Sequence, residues 1–133
     1  MTTTTVHTDI SAAEERSKKL LFWGCFIALT ATAFGFVFRA FIMADWGIQF
    51  GLSKTQQGEI FGVGFWPFGI SIVFFSLIID RIGYKMSMIF ALACHIASVV
   101  ITIFASGYWM LFAGTFLFAL GNGAVEAVVN PVV

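Results

Sequence analysis

Four long stretches of this chain carry almost no charge, and this feature constrains the fold more than any other. The 133 residues are 59% hydrophobic and 11% charged, with a mean hydropathy of +0.95. A soluble domain carries about 25% charged residues, so this chain has too few charges to cover the surface of a globule. A membrane-spanning helix takes about 20 mostly apolar residues, and four fit within this length. The composition predicts an all-α, multi-pass transmembrane helix bundle.

The apolar stretches place the predicted spans at residues 20–44, 55–79, 86–105 and 108–133. Residues 1–19 are polar, and we predict that they form an N-terminal tail. The second span follows a capping-box pair, Ser53 and Gln56, and contains Pro67, which a membrane helix accommodates by packing or by a local kink. Neither a charged anchor nor a polar tail follows the last span, so we expect the transmembrane region to continue beyond Val133.

Cations are unevenly distributed among the connections between the spans. Five of them lie in the N-terminal tail and in the turn after the second span: Arg16, Lys18, Lys19, Arg81 and Lys85. The other connections hold only Lys54. Because short cytoplasmic loops are enriched in Lys and Arg, we predict a cell-membrane protein whose N-terminus is cytoplasmic, with residues 45–57 outside and residues 80–85 inside.

Polar residues recur at helical spacing in three of the spans, which in a membrane marks the face turned toward other helices or a cavity. The three sets are Thr32, Gly35 and Arg39; His95, Ser98 and Thr102; and Asn122, Glu126 and Asn130. The second span instead has small residues spaced by seven: Gly62, Gly69 and Ser76. Such a seam is typical of close helix packing, so we predict chemistry on the three polar sets and packing on the seam.

Among these polar residues, Glu126 is the one whose position most strongly indicates a functional role. A carboxylate at membrane depth loses the hydration of its charged form, which favours proton binding and suits a proton carrier. The alternative is a structural acid held by hydrogen bonds from its neighbours Asn122 and Asn130. We predict the proton-carrying role, since an ionisable residue inside a membrane is usually functional.

Arg39 is the only charged residue in the first predicted span. At 1.5 Å per residue it lies roughly 8 Å from the outer end of the span and on the order of 12 Å from Glu126 along the membrane normal. That separation is too large for an ion pair. Two roles stay open for Arg39: its side chain extends to the outer interface, or it binds an anionic group of a solute.

The remaining reactive residues form no motif for catalysis or metal binding. His95 has no second histidine or acid at ligand spacing, so we predict a hydrogen-bonded packing residue. Cys25 and Cys94 lie in apolar spans without a metal or disulfide pattern. We therefore predict that the chain is not an enzyme and uses no metal or other cofactor. Seven cations balance seven acids, which argues against nucleic-acid binding.

The turn after the second span, SLIIDRIGYK at residues 76–85, resembles a motif of the major facilitator superfamily, G-x-x-x-D-R-x-G-x-K/R. It lies where that family has it, between spans two and three on the cytoplasmic side. Ser76 replaces the first glycine of the motif, and Tyr84 stands where a basic residue is frequent. In the family the acid and the cations of this turn hold the two halves of the transporter together in one conformational state and release them in the other. The resemblance implies a gating role for four residues: Asp80, Arg81, Gly83 and Lys85.

The fourth span, GNGAVEAVVNP at residues 121–131, is similar to the G-x-G-x-x-E-x-x-x-N-P pattern of the fucose–proton symporter branch of that superfamily. In that branch the acid of helix four takes part in proton-coupled sugar transport. The similarity implies that Glu126 is the proton site and that Asn122 and Asn130 lie beside the cavity. The first span differs from the pattern of that branch, because Arg39 replaces the expected acid. The substrate can therefore be a small organic anion instead of a sugar.

The features predict a secondary active transporter of a small polar solute, either a sugar or a small organic anion, that is proton-coupled and works by alternating access. The resemblance covers residues 20–133 and implies the first four helices of a twelve-helix fold. Expected partners are the lipid bilayer, the solute, protons and the remaining helices of the same transporter. Two alternatives stay open: a complete four-helix transporter dimerising around an intramembrane Glu, and a membrane assembly or sensor subunit that does not transport.

Overall fold

The described part of the chain forms five helices, which make up four membrane-length segments. A computed structural model describes the backbone of residues 2–131 and the side chains of residues 14–131. The helices are α1 (Thr2–Gln49), α2 (Lys54–Gly62), α3 (Trp66–Ile82), α4 (Tyr84–Ile103) and α5 (Tyr108–Val129). The segments long and apolar enough to cross a membrane are Glu14–Gln49, Lys54–Ile82, Tyr84–Ile103 and Tyr108–Val129. No strand occurs among the described residues, and the predicted all-α fold is confirmed.

Helix α1 begins earlier than the first predicted span. Its backbone is helical from Thr2, so residues 2–19 of the predicted tail belong to the helix, while Met1 lies outside the described residues. No glycine or proline interrupts this part of the sequence, and the exposed pair Glu14 and Lys18 has the i,i+4 spacing that supports a helix, with 3.7 Å between the charged atoms. The cytoplasmic location of these residues stays a prediction.

Helix α1 also continues five residues past Ala44, the end of the first predicted span. Trp46 is buried and belongs, with Ile60 of α2 and Leu111 of α5, to one apolar cluster. Burying a large aromatic side chain is worth several times the cost of a polar residue such as Asp45 in an exposed helical position. The connection predicted over residues 45–57 is therefore much shorter.

The second membrane segment consists of two helices. Its predicted capping box is present: Ser53 Oγ accepts a hydrogen bond from the Gln56 N–H at 3.2 Å, and Gln56 Oε1 accepts one from the Ser53 N–H at 2.9 Å. Helix α2 ends at Gly62 and α3 begins at Trp66. Pro67 stands in the first turn of α3, where a missing N–H breaks no helical hydrogen bond. The irregularity expected at Pro67 thus lies just before it, and in this α2–α3 break the N–H groups of Gly64 and Phe65 donate to the carbonyl oxygens of Phe61 and Gly62, at 3.0 Å each.

Helix α5 forms the centre of the bundle and packs along most of α3 and α4. Glycines allow this close approach. A Cβ atom on Gly123 would lie 2.5 Å from the Phe68 carbonyl oxygen of α3. A Cβ atom on Gly121 would lie 3.1 Å from the Ala91 carbonyl oxygen of α4. The interior position of α5 follows from these contacts.

Buried residues are arranged in layers along the bundle. One apolar cluster near the α3–α4 turn includes Cys25, Phe75, Ala91, Ala124 and Val125. A second, at the opposite end, contains Met43, Trp46, Leu52, Ile60 and Leu111. In chain position between them lie the polar residues Arg39, His95, Ser98, Thr115 and Asn122. We call these five residues the polar layer.

Large apolar side chains cover the outside of the bundle. Phe41, Leu77 and Trp109 each leave more than three-quarters of their surface exposed. So many exposed apolar side chains are unfavourable in water, but they suit contact with hydrocarbon. The surface therefore agrees with a helix bundle embedded in lipid.

The prediction of a small-residue packing seam is wrong for contacts among the described residues. A Cβ atom on Gly62 or Gly69 would meet nothing within 4 Å, and Ser76 is exposed. The face of α3 that packs repeats every four residues and consists of Pro67, Ser71, Phe75 and Ile79. Ser71 on this face lies against Gly123 of α5 and donates a hydrogen bond to the Leu120 carbonyl oxygen, so close packing and hydrogen bonding to α5 hold the face inward.

Gly83 joins α3 to α4 with φ +81°, a backbone conformation that glycine adopts readily. We expect Gly83→Ala to lower the free energy of unfolding by about 1–2 kcal/mol, because a side chain is strained at positive φ. Gly107→Ala is the matched control, since Gly107 is extended, with φ 168°, and has no neighbouring atom within 4 Å of an added Cβ. Thermal unfolding of the detergent-solubilised protein measures both. Equal melting temperatures for the two variants would contradict the expectation.

Candidate functional site

Arg39 lies deeper along α1 than its sequence position predicted. It stands ten residues before the helix end at Gln49, which corresponds to about 15 Å along the axis rather than roughly 8 Å. Its guanidinium group points into the bundle. Arg39 Nη2 donates to Ser98 Oγ at 2.8 Å, so an extension to the outer interface is not what the structure shows.

The Arg39 guanidinium also stacks on an aromatic ring of the central helix. Its carbon atom lies 3.9 Å from the centroid of the Phe118 ring, a cation–π contact. Ser98 Oγ in turn donates to the Gly114 carbonyl oxygen at 2.6 Å. Among the described side chains, the one ion pair is Lys18–Glu14, so Arg39 has no carboxylate partner there and does not pair with Glu126. Arg39 thus links α1 to α4 and α5 through neutral groups.

The aromatic ring of Phe118 lies at the centre of this site and contacts several of its residues. Its centroid lies 5.4 Å from that of His95 and 5.4 Å from that of Phe36. On the α1 side the ring occupies the space above Gly35, where an added Cβ atom would overlap it. The glycine of the first polar set therefore makes room for an aromatic ring, and Arg39 lies one turn further along the helix.

His95 and Asn122 form a buried polar pair between α4 and α5. His95 Nε2 lies 2.9 Å from Asn122 Oδ1, and His95 Nδ1 lies 2.7 Å from the Ala91 carbonyl oxygen. Asn122 is fully buried, and its Nδ2 has no hydrogen-bond partner among the described residues. The amide can present its oxygen or its nitrogen to the ring. His95 is hydrogen-bonded inside the bundle, as predicted.

Glu126 lies one helical turn beyond Asn122 on α5 and is half-buried. Within the part of the chain that the structure describes, its carboxylate makes neither a hydrogen bond nor an ion pair. Asn130 is exposed just after the end of the helix. The structure thus brings Asn122 together with His95 but does not join Asn122 or Asn130 to Glu126. The alternative of an acid held by its Asn neighbours has no contact to support it.

The predicted gating residues occupy the exposed turn between α3 and α4. Asp80, Arg81 and Lys85 are exposed, and no ion pair involves them among the described residues. Gly83 lies among them, and its positive φ allows the chain to reverse between the two helices. The gating role itself stays a prediction.

Three residues of the site were not predicted from the sequence. Thr115 is buried and its hydroxyl has no partner among the described residues, but an isolated threonine in an apolar span carries no signal. Phe118 is one of 17 phenylalanines and equally inconspicuous. Glu59 could have been found, since it is an acid in a predicted span. Its Oε2 accepts a hydrogen bond from the Tyr108 hydroxyl at 2.7 Å, which joins α2 to α5.

Small cavities lie on both sides of the polar layer. An enclosed cavity of about 10 Å³ lies between α1, α5 and the α2–α3 break, and Arg39 and Thr115 line it. A wider groove of about 180 Å³ runs between α1 and α4 beside His95 and Thr32. Among the described residues no group of three potential metal ligands comes together. The arrangement offers a cation, hydroxyls, an imidazole and an amide for solute binding.

Comparison with known proteins gives one match. The family model described as Major Facilitator Superfamily matches residues 5–133, nearly the whole chain. No curated protein and no solved structure matches. The match agrees with the resemblance of the turn at residues 76–85, but it gives no support to a fucose–proton symporter specificity.

Proposed function

The chain belongs to the major facilitator superfamily, a family of membrane transporters; on this premise we propose a secondary active transporter of a small polar solute. The solute is a sugar or a small organic anion, and its movement is coupled to protons. Transport proceeds by alternating access, and the solute site is completed by further helices of the same transporter.

The observation that carries this proposal is the polar layer enclosed in an apolar bundle. Arg39, His95 and Asn122 are held at the middle of the bundle by hydrogen bonds between helices rather than at its ends. Polar side chains at membrane depth are costly and mark solute or ion pathways. A purely structural assembly subunit would gain more from apolar residues in these positions.

Glu126 is the proposed proton carrier. It lies on the central helix next to the polar layer, and its carboxylate is free of partners among the described residues. A carboxyl group without a fixed cation can take up and release a proton as the surrounding helices expose it to either side. Its position one turn from Asn122 places that proton close to the polar layer.

The turn holding Asp80, Arg81 and Lys85 is the proposed gate. These side chains are exposed and free of ion pairs among the described residues, so they are available to bind another part of the transporter in one conformation and release it in the other. Surface charges of this kind exchange partners at little cost. In this proposal the residues of the turn take part in gating and do not bind the solute.

The N-terminus and the gating turn are proposed to face the cytoplasm, in line with the positive-inside rule. Lys54→Cys should then react with a membrane-impermeant maleimide in intact cells, whereas Lys85→Cys should react only after permeabilisation. The native Cys25 and Cys94 are buried and contribute little background. Labelling of the two introduced cysteines in the reverse order would contradict this orientation.

Uptake into proteoliposomes tests the proposed function. The full-length protein is reconstituted, and radiolabelled sugars and small organic acids are supplied with and without an imposed pH gradient. We expect at least one solute to accumulate above its external concentration only when the gradient is present, and a protonophore to remove that accumulation. Gradient-independent uptake, or none for any solute class, would contradict the proposal.

A further inference from the structure

We propose that the enclosed cavity between α1, α5 and the α2–α3 break binds the anionic group of the transported solute. This identifies the substrate class as a small organic anion, such as a carboxylate, rather than a neutral sugar. The inference rests on the proposed transport function and assigns its solute-binding residues: Arg39 and Thr115.

Two of the residues that line this cavity each carry a polar atom without a partner among the described residues. Arg39 Nε and Thr115 Oγ1 are both buried without a hydrogen bond, and both residues border the same space. Thr115 leaves only 2% of its surface exposed. Buried donors without a partner are rare in folded proteins, because each costs about 1–3 kcal/mol. A ligand that moved into this space and reached both atoms would provide the acceptors that they lack.

The N-terminal end of α3, at the break in the second membrane segment, is a third feature that favours anion binding. Helix α3 is 17 residues long, and its N-cap residue Phe65 provides no side-chain cap. Gly64 and Phe65 line the cavity, so the N-terminal end of α3 lies beside it. The partial positive charge at a helix N-terminus attracts an anion.

The charge of the site is uncompensated within the described residues. Ser98 and Phe118, the two groups that contact the Arg39 guanidinium, are neutral. Glu59 hydrogen-bonds Tyr108, and Glu126 makes no ion pair among these residues. A bound anion would supply the missing negative charge and accept from Arg39 Nε. A neutral sugar would leave that charge unbalanced.

The depth of the cavity fits a solute-binding position, whereas its present volume is smaller than a carboxylate group. Arg39 and Gly64 each lie ten residues from the helix ends at Gln49 and Lys54, which is about 15 Å, or half of a hydrocarbon core of about 30 Å. Secondary transporters bind their substrates at this depth, often beside discontinuous helices. A volume of about 10 Å³ holds one water-sized group, so the rest of the anion requires the aromatic wall to move.

Paired ligands test the inference on the full-length protein in detergent. Acetate, lactate and succinate are compared with their neutral amides by the rise in melting temperature that each causes, since a ligand stabilises the state it binds. We expect at least one acid to stabilise the protein and its amide not to. We expect Thr115→Val to weaken binding of that acid about tenfold or more without lowering the stability of the free protein.

Thr32→Val is the matched control, because Thr32 is also buried, but its hydroxyl already donates to the Leu29 carbonyl oxygen. It should leave acid binding unchanged, whereas Arg39→Gln should abolish it. Acid binding that survives both Thr115→Val and Arg39→Gln, amides that bind as well as acids, or no binding by any acid would overturn the inference. Acid binding without gradient-driven uptake would instead refute the proposed transport function and leave the anion site standing.

Discussion

Glu126→Gln is expected to abolish proton-driven accumulation of solute while leaving solute exchange across the membrane measurable. Glutamine keeps the size and the hydrogen-bonding capacity of the side chain, but it cannot take up or release a proton. In proteoliposomes with an imposed pH gradient, the internal solute concentration should therefore equilibrate with the external concentration instead of exceeding it. Exchange of labelled for unlabelled solute requires no net proton movement and should continue.

Glu59→Gln is the control for this variant. Glu59 is also an acid within a membrane segment, but it is exposed and accepts a hydrogen bond from Tyr108, the first residue of α5. A glutamine side chain at this position can still accept that hydrogen bond through its amide oxygen, so uphill accumulation should persist. Accumulation that survives Glu126→Gln, or that Glu59→Gln removes equally, would show that Glu126 is not the proton carrier.

Gly123→Ala is expected to cause the largest loss of stability, about 2–4 kcal/mol. The new Cβ atom would lie 2.5 Å from the Phe68 carbonyl oxygen and 2.5 Å from Ser71 Cβ, so α3 and α5 would have to separate. Overpacking of this kind costs about 1–3 kcal/mol. Separation also breaks the hydrogen bond from Ser71 Oγ to the Leu120 carbonyl oxygen, now 2.7 Å, worth about 1 kcal/mol.

Gly69→Ala provides the matched comparison on the neighbouring helix. No atom lies within 4 Å of a Cβ added to Gly69, and alanine favours a helix over glycine by up to about 1 kcal/mol. Thermal unfolding in detergent should thus show a clear fall in melting temperature for Gly123→Ala and no fall for Gly69→Ala. Similar melting temperatures for Gly123→Ala and the unsubstituted protein would contradict the close contact of α3 and α5.

Much of the fold follows from hydropathy and local backbone chemistry. Apolar stretches of membrane length identify the four segments. The capping-box pair Ser53 and Gln56 identifies the start of α2. The end of α1 was mispredicted, because a local pattern cannot include the distant contact that buries Trp46. The seam at Gly62 and Gly69 failed for a related reason, since small-residue spacing does not say which helix the face meets.

The candidate site was only partly accessible from the sequence. Helical spacing correctly placed Arg39, His95 and Asn122 on inward faces, because polar residues avoid lipid. It could not pair His95 with Asn122, since that contact joins two helices across 27 residues of sequence. Thr115 acquires its importance only from the cavity it shares with Arg39, a property of the packed bundle rather than of either sequence position.

Proton movement during solute transport tests the central claim most directly. Proteoliposomes containing the full-length protein and an internal pH-sensitive dye receive an outside pulse of a transported solute, with no pH gradient imposed. Coupled transport through Glu126 predicts that the interior acidifies as solute enters, and that Glu126→Gln removes the acidification while exchange persists. Solute entry without any change of internal pH would contradict proton coupling.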